Sequence, residues 1–249
     1  MVRPVIEVCA NSAASCVAAE QGGAARVELC AGIPEGGTTP SYGEMVTARR
    51  AIGIRMNVII RPRGGDFLYT PAEIQTMLLD IEAAKAAGAD GVVFGCLKAD
   101  GTIDAERNRE LKQAAGSLST TFHRAFDVCR DPFEALEQII ALGFDRILTS
   151  GQEATAPQGA ELIARLVERA AGRIVIMPGC GVNENNVAEL ARRTGAQEFH
   201  MSARHRIEGG MEYRNERVSM GGTVTVEEFA RDITDPERVA RSIEALRHV

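Results

Sequence analysis

Short apolar runs alternate with longer stretches of helical periodicity along almost the whole chain. Val5-Ile6-Glu7-Val8-Cys9 has the length and β-branched character of a strand, and Asn11-Ser12 then caps a helix of small residues over 13–21. The second strand, 26–30, echoes the first, with V-E-L-C against I-E-V-C. A glycine-rich loop (32–39) and a helix over 41–51 follow. Pro62 ends a third strand over 57–62, because proline cannot continue a ladder. Thr70-Pro71-Ala72-Glu73 is a capping box with proline at the first helical position, and Ile74, Met77, Leu78 and Ile81 then recur at helical spacing until Gly88. The same reading predicts strands over 91–95, from 120, over 146–150, 173–177 and 198–202. Helices are predicted over 104–115, from 131 to Gly143, over 157–171, after a cap at Asn183, and from Pro236.

One joint recurs. Gly23, Gly88, Gly143 and Gly195 each close a helix, and two or three residues later an apolar strand begins. The joint returns at every second strand–helix unit. Eight strands alternating with eight helices in 249 residues match a single-domain (β/α)8 TIM-type barrel over 1–249. A doubly wound open sheet is the competing arrangement, but no GxGxxG follows the first strand. A long polar segment, 205–234, separates strand eight from the last helix and suits either a lid or a subunit contact; a homo-oligomer is expected.

Composition narrows the partners. With 45% hydrophobic residues the chain can build a large core, and a net charge of −6 disfavours nucleic acid and anionic membranes. No apolar run reaches the roughly 20 residues of a membrane span. Glu7 interrupts the N-terminal apolar segment, so no signal peptide is expected. Six cysteines without a CxxC pair argue for reduced thiols and a cytoplasmic protein.

Strand ends carry the chemistry in such a barrel. Here they hold Glu7 and Cys9, Glu28 and Cys30, Arg61 and Arg63, His123 and Arg124, Ser150, and His200 and Ser202. Period-two alternation puts Glu7 with Cys9, Glu28 with Cys30, and His200 with Ser202 on common faces. A barrel built only for stability would use Val, Ile and Leu there. The residues could nonetheless close the core as ion pairs, for example Glu7 or Glu28 with Arg61. The stretch T-T-F-H-R-A-F-D (120–127) reads as a strand delivering His123 at its tip. If the protein is an enzyme, His123 is the candidate acid/base, Glu7 or Glu28 its counterpart, and Arg61 the anion anchor for a small phosphorylated or carboxylated metabolite.

Gly179 and Gly181 after strand seven, with Ser202 after strand eight, lie where this fold often binds phosphate, or simply permit tight turns. The loop of Arg63 could close over an anion or be held by its own Arg–Asp pair. Cys9 and Cys30 lie on neighbouring strands, near enough for their sulfurs to meet if both point inward, although barrel stagger works against the contact. Soft thiolates favour Cu(I), whereas buried free cysteines are more commonly small apolar residues. No zinc signature and no organic cofactor motif is present.

The blocks I-E-V-C (6–9), R-V-E-L-C-A (26–31), E-G-G-T-T-P-S (35–41), I-R-P-R-G-G-D-F (60–67), T-F-H-R-A-F-D (121–127), L-T-S-G (148–151), E-F-H-M-S-A-R (198–204) and M-E-Y-R-N-E-R-V-S-M-G (211–221) resemble the CutC copper-homeostasis family. The resemblance implies a cytosolic TIM-type barrel tied to copper handling. It also implies Cu(I) ligation by cysteines at the ends of the first two strands, which are Cys9 and Cys30 here. It assigns no role to Cys96 or Cys180.

Overall fold

The computed structural model describes residues 4–220, 227–247 and 249. Eight parallel strands form a nearly closed barrel: β1 (Val5–Ala10), β2 (Arg26–Leu29), β3 (Arg55–Ile59), β4 (Gly91–Phe94), β5 (Ser119–Phe122), β6 (Arg146–Thr149), β7 (Val175–Pro178) and β8 (Glu198–Met201). Hydrogen-bonded ladders run in the order β7-β6-β5-β4-β3-β2-β1-β8, so β1 joins β8 and one seam, between β7 and β8, carries no ladder among the described residues. Outside pack α1 (Ala13–Gln21), α2 (Tyr42–Ala51), α3 (Pro71–Ala86), α4 (Ala105–Ala115), α5 (Pro132–Ala141), α6 (Ala160–Ala170), α7 (Val187–Thr194) and α8 (Pro236–Leu246). None of these helices is long and apolar enough to cross a membrane.

The barrel wall separates two environments. Outward residues such as Ile6, Val8, Val27, Leu29, Val58, Phe94, Phe122 and Phe199 are fully buried under the helices, the burial that dominates folding free energy. Caps fall where the side-chain chemistry requires: Thr70 and Glu73 form the reciprocal box on α3, and Asp131 and Asp235 accept two backbone N–H groups each at α5 and α8. The four joint glycines all take positive φ, from 70 to 87°. That left-handed conformation costs a side-chain-bearing residue and is free for glycine.

Several boundaries differ from the sequence reading by a few residues, and three of them have a clear local reason. Strand three begins at Arg55 and ends at Ile59, and Arg61 has already turned to hold loops. Strand five stops at Phe122, because the His123 side chain accepts the Ala125 N–H and starts a 3-10 turn over Arg124–Val128. The helix after β7 starts at Val187, since Asn183 caps a turn of its own by accepting the Asn185 N–H.

The polar segment after β8 contains an antiparallel hairpin, β9 (Arg204–Glu208) with β10 (Ala230–Thr234). Met211, Tyr213, Val218 and Met220 are exposed beyond it. Residues 221–226 of this segment lie outside the described residues.

Candidate metal centre and cavity

Alternation along β1 and β2 turns Glu7, Cys9, Arg26 and Glu28 toward the barrel axis. Glu7 does not reach the mouth. It lies one layer down, where it receives the Arg26 Nε–H, the Asn57 amide at 3.2 Å and His200 Nδ1 at 2.8 Å. Arg26 also donates to Glu198 at 2.6 Å, and Glu198 takes Arg146 at 3.1 Å. The buried ion pair of Glu7 is therefore with Arg26, its own register partner on β2, and not with Arg61. Gly91 makes room for this layer: a Cβ there would lie 2.4 Å from Asn57 Oδ1. Burial alone would raise the Glu7 carboxyl, but the Arg26 charge and the His200 contact hold it far below the usual carboxylate range.

Above this layer the thiols meet. Cys9 Sγ and Cys30 Sγ are 3.2 Å apart, and the two sulfurs lie with a Glu28 oxygen within 4.8 Å of one another. The register explains it. Cys9 pairs with Glu28 across the ladder, and Cys30 continues the Glu28 face two residues on, so both flank Cys9. The S–H of Cys30 holds the Cys9 thiol well below its usual value against the opposing effect of burial, with His200 and Arg204 Nη2, at 3.3 Å, assisting. Cys30, as that donor and as a buried group, is pushed well above the usual thiol value. Burial would lower His200, yet Cys9, Glu7 and Glu28 carry it well above the ordinary imidazole range. Burial raises Glu28 to about 8, helped by the charges on Cys9 and Glu7 and only partly opposed by His200. The centre thus couples a thiol biased toward ionisation, a partner thiol that resists it, an imidazole that favours its charged form and a carboxyl raised to about 8.

A chemical consequence can be measured directly. Iodoacetamide is expected to modify Cys9 first, and its rate should fall off on acidification only at a lower pH than for an ordinary thiol, because the Cys9 thiolate forms more readily. An ordinary thiol would slow about tenfold per unit below its pKa. A Cys9 rate that falls off at the same pH as that of an ordinary thiol would contradict the assignment.

The thiols open into a cavity of about 410 Å³ whose far wall is formed by Arg61, Phe67, His123, Arg124 and Asp127. His123 is buried, with Nδ1 accepting the Ala125 N–H at 3.3 Å and Nε2 without a partner. Burial and the nearby Arg61 charge lower it to about 3, so it is a neutral imidazole suited to donating a hydrogen bond rather than to taking a proton. Arg61 fastens loops through its two terminal nitrogens, which donate to the carbonyls of Glu35, Gly37 and Gly65 at 2.7–2.9 Å. Ser150 joins the wall residue Asp127, which accepts from Ser150 Oγ at 3.0 Å, Thr149 at 2.5 Å and Arg124 at 2.7 Å.

The other candidates lie away from the cavity. Arg63 is held by Glu73 and Asp66 on the loop before α3. Gly179 leaves the space that Leu148 and His200 fill, since a Cβ there would sit 2.4 Å and 3.2 Å from them. Gly181 turns against Thr155, and the Ser202 carbonyl receives Thr234 Oγ1. Arg26 was given no role from the sequence, while Asp127 was read only as the end of the polar stretch 120–127 and Arg204 only as part of the loop after strand eight. The i,i+3 spacing of Arg124 and Asp127 was the one available signal for that pair.

The sequence profile of the CutC family matches residues 4–205. A family protein CutC from Bacteroides fragilis is 62% identical over 243 residues, covering 97% of each chain. The human copper homeostasis protein cutC homolog is 48% identical over 242 residues, covering 97% of this chain and 88% of its own. Among solved structures, CutC from Streptococcus agalactiae superposes with a TM-score of 0.77 at 36% identity, over 80% of this chain and 98% of that one. Likeness at this level, carried through the strands that hold the thiol pair, places the chain in the CutC family.

Proposed function

We propose that this protein handles copper by binding Cu(I) between Cys9 and Cys30, in the cytoplasm. The observation that carries the reading is the 3.2 Å approach of two thiols on adjacent strands, one of them biased toward ionisation by its surroundings. Two soft sulfur donors favour a soft monovalent ion, and a protonated Glu28 offers little to a hard one. The ion would take the place of the proton shared by the sulfurs, releasing it from Cys30. Arg204 and His200 would remain as cationic neighbours that keep the thiolates from repelling each other. Free thiols fit a reducing compartment. The copper-homeostasis name of the human relative supports the same role.

Copper K-edge absorption on the full chain loaded with one equivalent of Cu(I) tests the proposal. Two sulfur scatterers and no nitrogen shell are expected. A first shell of nitrogen or oxygen alone would remove the thiol pair from the copper site and with it this reading.

A further inference from the structure

The cavity is far larger than a two-thiolate copper site needs. Its volume of about 410 Å³ falls among cavities that hold small organic molecules. A metal ion between Cys9 and Cys30 would leave the far wall untouched. That wall is unfinished in a specific way.

Arg61 is 5% exposed, and its terminal nitrogens donate to three backbone carbonyls, with the Tyr69 hydroxyl close by. Among the described residues it forms no ion pair. A buried cation without a counter-anion is costly, and its Nε–H has no partner. His123, 4% exposed, stands across Phe67: the Phe67 ring is 4.9 Å from the imidazole and 5.0 Å from the Arg61 guanidinium carbon. The Ala125 N–H occupies Nδ1, which leaves the ring proton on Nε2, and Nε2 is also unpartnered. Arg61 and His123, each with a buried N–H that lacks a partner, thus both line one cavity. Ile33, Ile59 and Leu148 give the same space apolar walls.

We infer that this cavity binds a small organic carboxylate, its two oxygens accepting from Arg61 Nε and His123 Nε2 and its apolar part lying against Phe67 and Ile59. Inorganic phosphate would leave the apolar walls of Ile33, Ile59 and Leu148 without a partner, whereas the hydrocarbon part of an organic acid covers them. The inference is independent of copper, because neither donor contacts the sulfurs.

The test uses metal-free full-length protein labelled with ¹⁵N-histidine, so its outcome does not depend on whether copper binds. Benzoate and 4-methyl-2-oxopentanoate are titrated by calorimetry and by NMR, against benzamide and inorganic phosphate. Both carboxylates should bind and move the His123 Nε2 resonance, while benzamide and phosphate should bind at least about tenfold more weakly. His123→Phe, which keeps an aromatic ring and removes the donor, should weaken benzoate about tenfold. The wild-type resonance decides the matter if that variant folds poorly. The inference is overturned if neither carboxylate moves the His123 signal, if benzamide or phosphate binds as well as benzoate, or if folded His123→Phe binds benzoate like wild type.

Discussion

Replacing Cys9 and Cys30 together by serine is expected to abolish tight Cu(I) binding in a competition titration against a Cu(I)-specific chelator. Serine is nearly isosteric with cysteine but does not ionise at neutral pH, so it supplies neither softness nor charge. Each single variant should lose more than the ~10–100-fold typical of outer neighbours of a metal. The double variant should lose little beyond that, because the pair acts as one unit and half of it is already useless. Cys180→Ser is the control: that thiol contacts the Ala154 carbonyl on another loop, so copper affinity should be unchanged. Chelator competition by the double variant equal to wild type would remove both cysteines from the copper site.

Arg26→Met carries the largest expected cost in stability, about 3–5 kcal/mol at pH 7. Methionine fills the space of the arginine stem but leaves the Glu7 carboxylate buried with only Asn57 and His200, and leaves Glu198 to Arg146 alone. The pH dependence has a definite sign. A carboxyl depressed by folding stabilises the protein above its unfolded pKa, near 4.5, and loses that contribution as pH falls toward the folded value. The variant lacks most of this contribution, so its deficit should be greatest at neutral pH and shrink below about pH 4.5. Pairing it with Glu7→Gln should recover part of the loss, because the buried charge is then gone as well. Urea denaturation of the wild type and both variants from pH 3.5 to 7 measures this. A deficit below about 1 kcal/mol, or one that widens in acid, would mean that Arg26 does not hold Glu7 in the folded state.

Much of the architecture could be read from local pattern. The strand and helix sequence, the capping box at Thr70 and the recurring glycine joints rest on interactions within a few residues, the barrel was inferred from the count and order of those elements, and all appear in the structure. The inward face of β1 and β2 was legible too, since side chains alternate with a period of two. The His123 stretch was harder. Its side chain caps the following turn, so the alternation that predicts a strand tip no longer applies there, and the imidazole is oriented by the Ala125 N–H. Arg26 looked like an ordinary first residue of a strand. Only the closure of β1 between β2 and β8 brings Glu7, Glu198 and His200 around it.

By itself, then, the sequence determined which elements form, where they cap, and which residues of β1, β2 and β8 face the axis. These are matters of backbone geometry and side-chain periodicity over short range. It did not determine which inward residues meet. That depends on the stagger between strands far apart in the chain. In this protein the stagger sets Cys9 opposite Glu28 and diagonal to Cys30, lowers Glu7 onto Arg26, and leaves Arg61 and His123 facing the cavity with one N–H each unpartnered.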